Sequence, residues 1–282
     1  MNENSPPQPK GDLTTWLRDR AVSGHDEPEI SVIIPAFNEE RRLPPTLIDI
    51  IDLLDTRSTP YEVIVVDDGS TDGTSDVVRK FERIRPHVRL LRLPVNGGKG
   101  NAVRTGMLNA RGRWLIFTDA DGATPFIEFE RLMKAVNEGA DIAIGSRALY
   151  SQETTVKTVW YRRILGRIFN GTVNLVLLPR IADTQCGFKL FTARTAREIF
   201  ARQTARRFGF DVEILYIARK LGFSIVEVPI NWTNVPGSKV NLIVDAAQML
   251  LDVLRFRWRH RQLQPAPQPT KPVDISSGNA AS

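Results

Sequence analysis

The apolar residues of this chain gather in short, dense runs: Ile30 to Pro35, Glu62 to Val66, Val88 to Leu93, Trp114 to Thr118, Ile142 to Gly145 and Ser224 to Val228. Runs of this length, rich in Val and Ile and without strict alternation, are the pattern of strands buried on both faces of a parallel sheet. Between the first four lie helix-like segments, Leu43 to Asp55, Thr74 to Ile84 and, after Gly97-Gly98-Lys99-Gly100, Asn101 to Ala110. The alternation predicts an α/β fold, a mostly parallel central sheet flanked by helices. After about Ser146 the rhythm changes. Lys157 to Leu178 reads as one long helix or two, with Trp160, Tyr161, Ile164, Ile168 and Phe169 among Arg162, Arg163 and Arg167. A second such segment runs from Val240 to about Arg261 and ends in Arg255-Phe256-Arg257-Trp258-Arg259-His260-Arg261, with Asp245 and Asp252 interrupting its apolar positions. Aromatics mixed with arginines suit a membrane interface. The same pattern suits a helix packed on the sheet or on a second copy of the chain.

Polar, proline-containing ends bound the folded body. Residues 1–27 and 262–282 are expected to be disordered tails, with the α/β domain at 28–239 and an amphipathic basic helix at 240–261. A chain of 282 residues with 42% hydrophobic content can bury one substantial α/β core. The single cysteine, Cys186, precludes an intrachain disulfide or a cysteine metal cluster and fits a reducing compartment. No signal-peptide pattern and no apolar run long enough to span a bilayer is visible. A cytoplasmic, soluble or peripheral protein is therefore expected. The net charge of +6 favours anionic partners: nucleic acid, an anionic lipid surface or phosphorylated substrates.

Chemistry concentrates at two strand ends. Val63-Ile64-Val65-Val66 is followed by Asp67-Asp68-Gly69-Ser70, and Trp114-Leu115-Ile116-Phe117-Thr118 by Asp119-Ala120-Asp121. The carboxyl edge of an open α/β sheet is where ligands bind. Two acids two residues apart point to one side if strand geometry continues through them. Asp119 and Asp121 are therefore candidate ligands for a hard divalent cation, Mg²⁺ or Mn²⁺, which accepts one or two protein carboxylates and completes its shell with water and phosphate oxygens. Taken singly, each motif has a plainer reading. Asp67-Asp68-Gly69-Ser70 can be a strand end followed by a helix cap, and Asp119-Ala120-Asp121-Gly122 a turn. Gly97-Gly98-Lys99-Gly100 lacks the spacing of a P-loop and reads as a close turn that leaves Lys99 near the ligand.

Taken in order, the motifs resemble a known family. Ser31-Val32-Ile33-Ile34-Pro35-Ala36-Phe37-Asn38-Glu39-Glu40, Val66-Asp67-Asp68-Gly69-Ser70-Thr71-Asp72-Gly73-Thr74, Asn96-Gly97-Gly98-Lys99-Gly100 and Asp119-Ala120-Asp121 are similar to the motifs of family 2 glycosyltransferases, whose fold is the nucleotide-sugar-binding GT-A type. Asp183-Thr184-Gln185-Cys186-Gly187-Phe188-Lys189, Phe210-Asp211-Val212-Glu213, Asn231-Trp232-Thr233 and Gly237-Ser238-Lys239 resemble the polyprenyl (dolichyl) phosphate hexosyltransferases. The likeness spans about residues 29–240. Asp121-Gly122-Ala123-Thr124 looks closer to the dolichyl-phosphate β-glucosyltransferases, and Asn234 stands where mannose synthases tend to carry an arginine. The N-terminal membrane anchor of the eukaryotic glucosyl branch is not evident in the polar start of this chain.

The resemblance implies a metal-dependent, inverting transfer of a hexose, glucose from UDP-glucose, to a polyprenyl or dolichyl phosphate at the cytoplasmic membrane face. GDP-mannose is the alternative donor. It also implies that Pro35, Phe37, Glu39, Val65, Asp67 and the backbone of Ala120 line the nucleotide, and that Asp183 lies near the reacting centre as an orienting or catalytic group. Because a phosphate acceptor is already anionic, no strong general base is needed. Cations are needed instead, and Arg147, Lys189 and Lys239 are the candidates, with Lys99 beside them. Asp121 would combine metal binding with a part in catalysis. Two other classes compete: a nucleic-acid-binding protein, suggested by the basic cluster at 255–261, and a non-catalytic membrane-associated protein that keeps the fold alone. No nucleic-acid motif is present, and none is expected to bind. Homo-oligomerisation through the amphipathic helices stays open.

Overall fold

The computed structural model describes residues 27–157, 171–235, 252–253 and 255–265. Lys239, residues 1–26 and 266–282 of the terminal tails, most of the predicted helical segment at 157–178 and the first part of that at 240–261 lie outside the described residues.

Seven strands form one sheet in the order β3-β2-β1-β4-β7-β5-β8. They are β1 (Ile30–Ala36), β2 (Tyr61–Asp67), β3 (Val88–Arg92), β4 (Trp114–Thr118), β5 (Ile142–Ser146), β7 (Phe188–Thr192) and β8 (Ile225–Pro229); β6 (Val156–Lys157) and β9 (Trp232–Thr233) pair separately in parallel. All main-sheet pairings are parallel except those of β7, which runs against both β4 and β5. The expected mostly parallel sheet is thus present, with one reversed strand that the apolar pattern does not announce.

The dense apolar runs become the sheet centre because neither face meets water. Every residue of β1 and β2 is buried. Burying a Val or Ile side chain contributes about 1.5–3 kcal/mol relative to exposure, so a run such as Val63-Ile64-Val65-Val66 is stable only between two covering layers. Helices α1 (Leu43–Thr56), α2 (Thr74–Glu82) and α4 (Phe129–Asn137) cover one face, through Leu47, Ile51, Val78, Phe81, Phe129 and Leu132 among others. Helices α3 (Lys99–Asn109), α5 (Ala193–Arg202) and α6 (Phe210–Lys220) cover the other, through Val103, Met107, Ile199, Phe200 and Ile214. Local signals set the helix starts. Pro44 and Pro45 occupy the first turn of α1, where the missing N–H costs nothing. Thr192 caps α5 by accepting the Thr195 N–H at 3.2 Å.

Candidate active site

The chain runs outward from β1 through β2 to β3, then returns to place β4 on the other side of β1. That reversal makes the crevice beyond the carboxyl ends of β1 and β4 a topological switch point. The loops after β1, β2 and β4 meet there. Because β7 is antiparallel, the turn that precedes it, residues 183–187, reaches the same edge.

Asp119 and Asp121 follow β4, with side chains 38% and 27% exposed, so both carboxylates remain open to a ligand. Burial, and then the charge of Asp119, push the Asp121 carboxyl above its usual range. Two like charges held together in this way are what a hard cation neutralises, and the residues present fit one. Asp121 Oδ1 accepts the Ala123 N–H at 3.1 Å, which fixes the turn. Asp119 Oδ1 lies 2.5 Å from Lys99 Nζ. Its carboxylate rests on the bare backbone of Gly187, where a Cβ would overlap it. No group of three or more His, Cys, Asp or Glu side chains suited to a metal occurs among the described residues.

Arg42, which the sequence reading passed over, connects two of the loops. Its guanidinium binds both oxygens of Glu39, at 2.7 and 2.5 Å, and lies 4.0 Å from Asp121 Oδ2. The Glu39 N–H donates to Thr74 Oγ1 at 2.7 Å. Glu39 therefore orients Arg42 and the β1 loop. Pro35 is buried in β1 opposite Val66, and Phe37 is half-buried at the start of the loop. The Ala120 carbonyl accepts from Thr46 Oγ1 at 3.0 Å, which anchors the peptide between the two acids.

Four of the expected site residues are enclosed or paired. Val65 is fully buried in the core, on a strand covered on both faces. Asp67 is equally enclosed. Its carboxylate accepts the Ser70 N–H at 2.8 Å and the Ser75 hydroxyl, tying the turn into α2. Lys189 is buried, and its Nζ donates to the Cys186 carbonyl and to Asp211, each at 2.5 Å. The side chain points inward because β7 sits mid-sheet. Arg147, the fourth, is paired with Asp183 through Nε and Nη2, at 2.7 and 2.9 Å, while its backbone N–H donates to the same carboxylate at 3.0 Å. Its guanidinium also lies 5.5 Å from the Trp232 ring. Burial works against the Asp183 charge, but Arg147 holds that carboxyl below its usual range. Glu227 in turn accepts the N–H groups of Ala182 and Asp183 at 2.7 and 2.9 Å.

Asp68, beside Asp67, also has a backbone task. It accepts the N–H groups of Gly97 and Gly98 at 2.8 and 2.7 Å and thereby fixes the start of α3 under Lys99. Asp211, quoted above only as part of a motif, is the buried partner of Lys189. Burial pushes the Cys186 thiol up to about 12, so it is no nucleophile at neutral pH.

An α/β sheet with a carboxylate pair open at its switch point suits a ligand that brings a cation and phosphates. Residues 31–200 match the model of Glycosyl transferase family 2, so the chain is a glycosyltransferase of that family. It is 44% identical over 245 residues to the dolichyl-phosphate beta-glucosyltransferase of Drosophila melanogaster, covering 82% of this chain and 75% of that protein. It is 42% identical over 243 residues to the Dictyostelium discoideum enzyme of the same name (82% and 74%), and 39% identical over 245 residues to the human one (82% and 76%). At this identity and coverage the chain belongs to the family of the dolichyl-phosphate beta-glucosyltransferases. Among solved structures, glucosyl-3-phosphoglycerate synthase from Mycobacterium tuberculosis bound to phosphoglyceric acid matches with a TM-score of 0.61 at 20% identity, over 91% of this chain and 85% of that one. The same synthase with Mn²⁺, UDP-glucose and phosphoglyceric acid matches with a TM-score of 0.58 at 20% identity, over 94% and 87%. At that identity the likeness shows the shared GT-A fold.

Proposed function

We propose that this chain transfers glucose from UDP-glucose to dolichyl or another polyprenyl phosphate, with inversion at the anomeric carbon and with Mg²⁺ or Mn²⁺ at Asp119 and Asp121. The observation that supports this most is the open carboxylate pair at the switch point of a chain 44% identical to a dolichyl-phosphate beta-glucosyltransferase. The mannosyl and nucleic-acid readings lose ground to those relatives.

A divalent cation, when bound, supplies Lewis-acid neutralisation of the leaving diphosphate. The chain's own residues do the rest. The loops after β1 and β2 receive the nucleoside, with Pro35, Phe37 and the Glu39–Arg42 pair forming their edge. Lys99 offers an ammonium to the diphosphate, and Arg147, held rigid by Asp183, offers a fixed positive charge at the same edge of the sheet. An acceptor phosphate attacks as an anion, so no residue has to remove a proton from it. Lys239 is assigned to the acceptor phosphate on its sequence context. No helix among the described residues is long and apolar enough to cross a membrane. We assign the meeting with a lipid acceptor to the bilayer surface, on the cytoplasmic face, through the basic C-terminal segment, on the exposed Arg255, Arg257, Arg261 and Trp258.

The test is direct. Full-length protein is incubated with Mg²⁺, short-chain polyprenyl phosphate and a panel of labelled UDP- and GDP-sugars, and the lipid product is identified. A β-glucosyl lipid from UDP-glucose is expected, lost on chelation and in Asp121→Ala. A mannosyl lipid from GDP-mannose, or turnover unaffected by both treatments, overturns the assignment.

A further inference from the structure

The backbone at Lys99 is fixed from several sides. Asp68 holds Gly97 and Gly98, and Gly98 adopts φ +94°, a conformation that favours glycine. The Asn101 N–H donates to the Arg206 carbonyl at 2.9 Å, and a Cβ on Gly100 would come within 2.6 Å of the Ala205 carbonyl. The start of α3 is thus wedged in place. What retains freedom at Lys99 is a flexible four-carbon stem carrying a compact charge. That charge rests 2.5 Å from Asp119 Oδ1, with the lysine side chain 22% exposed. Asp119 lies close against the bare backbone of Gly187, where a Cβ would overlap its carboxylate. Asp211 adds a second negative charge within electrostatic reach of Lys99.

We propose that Lys99 is a charge placeholder: it neutralises Asp119 until a nucleotide diphosphate and its cation arrive together, then passes its ammonium to a diphosphate oxygen. The inference rests on the assignment of Asp119 and Asp121 to a divalent cation. An ammonium in contact with a carboxylate opposes a second cation on the same group, since like charges at such range repel strongly in a partly buried site. The diphosphate relieves that conflict by giving the ammonium another anion. Cation and nucleotide therefore bind cooperatively, and the free enzyme does not take up divalent ions tightly. Direct coordination of the diphosphate by the cation links the two as well, so the share that Lys99 adds is what its substitution removes.

The experiment measures Mn²⁺ binding to the full chain by the loss of the free-ion paramagnetic resonance signal, with and without UDP. In the wild-type chain UDP is expected to tighten Mn²⁺ binding on the order of tenfold or more. Lys99→Gln is expected to bind Mn²⁺ alone about tenfold more tightly than wild type and to lose most of the UDP enhancement, while Lys99→Arg keeps it. Equal Mn²⁺ affinity in a folded Lys99→Gln and in wild type overturns the placeholder and leaves the metal site standing. Mn²⁺ binding by none of the forms, even with UDP, overturns the metal assignment and the placeholder with it. Should Lys99→Gln fail to fold, Lys99→Met is measured in its place: a UDP enhancement equal to that of wild type refutes the coupling, and its loss supports it.

Discussion

Gly187 contributes no side chain, yet it determines where Asp119 can be. A Cβ there would occupy the space of the Asp119 carboxylate, and what must yield is the end of a side chain rather than the backbone. Gly187→Ala should therefore leave the fold intact and rotate Asp119 away from the crevice. A displacement of about 1 Å in such a site can cost on the order of 10²-fold in rate. Metal-dependent turnover is expected to fall by about that factor, with the melting temperature nearly unchanged; undiminished turnover would remove Asp119 from the site. At this scale the sequence was partly legible. Asp119 and Asp121 stand out because an apolar run delivers them to a strand end. Arg42 does not, because Glu39-Glu40-Arg41-Arg42 reads as a solvated charge run. Asp67, Val65 and Lys189 enter the site by resemblance alone, and the motifs do not disclose how far the packed sheet encloses their side chains.

The strands of the parallel part were readable nearly to their ends, since a β-branched run with no polar face has few other folds open to it. β7 was not. Phe188-Lys189-Leu190-Phe191-Thr192 carries a lysine at its second position, which speaks against a buried strand, and strand direction depends on partners rather than on local pattern. The lysine is tolerated there because Asp211, at the start of α6, meets it at 2.5 Å, with the Cys186 carbonyl as second acceptor. Removing one partner leaves a buried charge uncompensated, at a cost of about 3–5 kcal/mol, whereas replacing both with apolar groups is often neutral. Urea unfolding should accordingly show Lys189→Met strongly destabilised and the double variant Lys189→Met, Asp211→Leu restored most of the way to wild type. A single variant as stable as the parent would mean that the pair is not closed off from water.

Across the whole molecule, the last described segment joins the site to the outer surface. Val253 and Phe256 pack into the core shared by α3, α5 and α6. His260 is buried with Nε2 2.8 Å from Glu213 Oε1, and Arg259 donates to Thr204 Oγ1 at 2.5 Å. Glu213 also accepts the N–H groups of Thr204 and Ala205 at 2.9 and 2.7 Å, and Gln203 beside them donates to the Gly100 carbonyl at 2.8 Å. One face of the segment is thereby fastened to the elements that carry Lys99. The other presents Arg255, Arg257, Arg261 and Trp258, the last 68% exposed. Exposed arginines around a tryptophan match an anionic bilayer surface, where each basic residue contributes about 1 kcal/mol and the indole sits at headgroup level. Replacing Arg255, Arg257 and Arg261 by Gln, with Arg259 kept because it holds Thr204, should weaken adsorption to phosphatidylserine vesicles on the order of 10²-fold. Adsorption of the parent should also decline as salt rises, since the attraction is screened within a Debye length of about 8–10 Å. Transfer to a short-chain acceptor free in solution should be less affected than adsorption, because that acceptor does not have to be reached at a bilayer surface. Equal adsorption of variant and parent would instead place this face against another protein surface, and sedimentation of the two forms would then differ in oligomeric state.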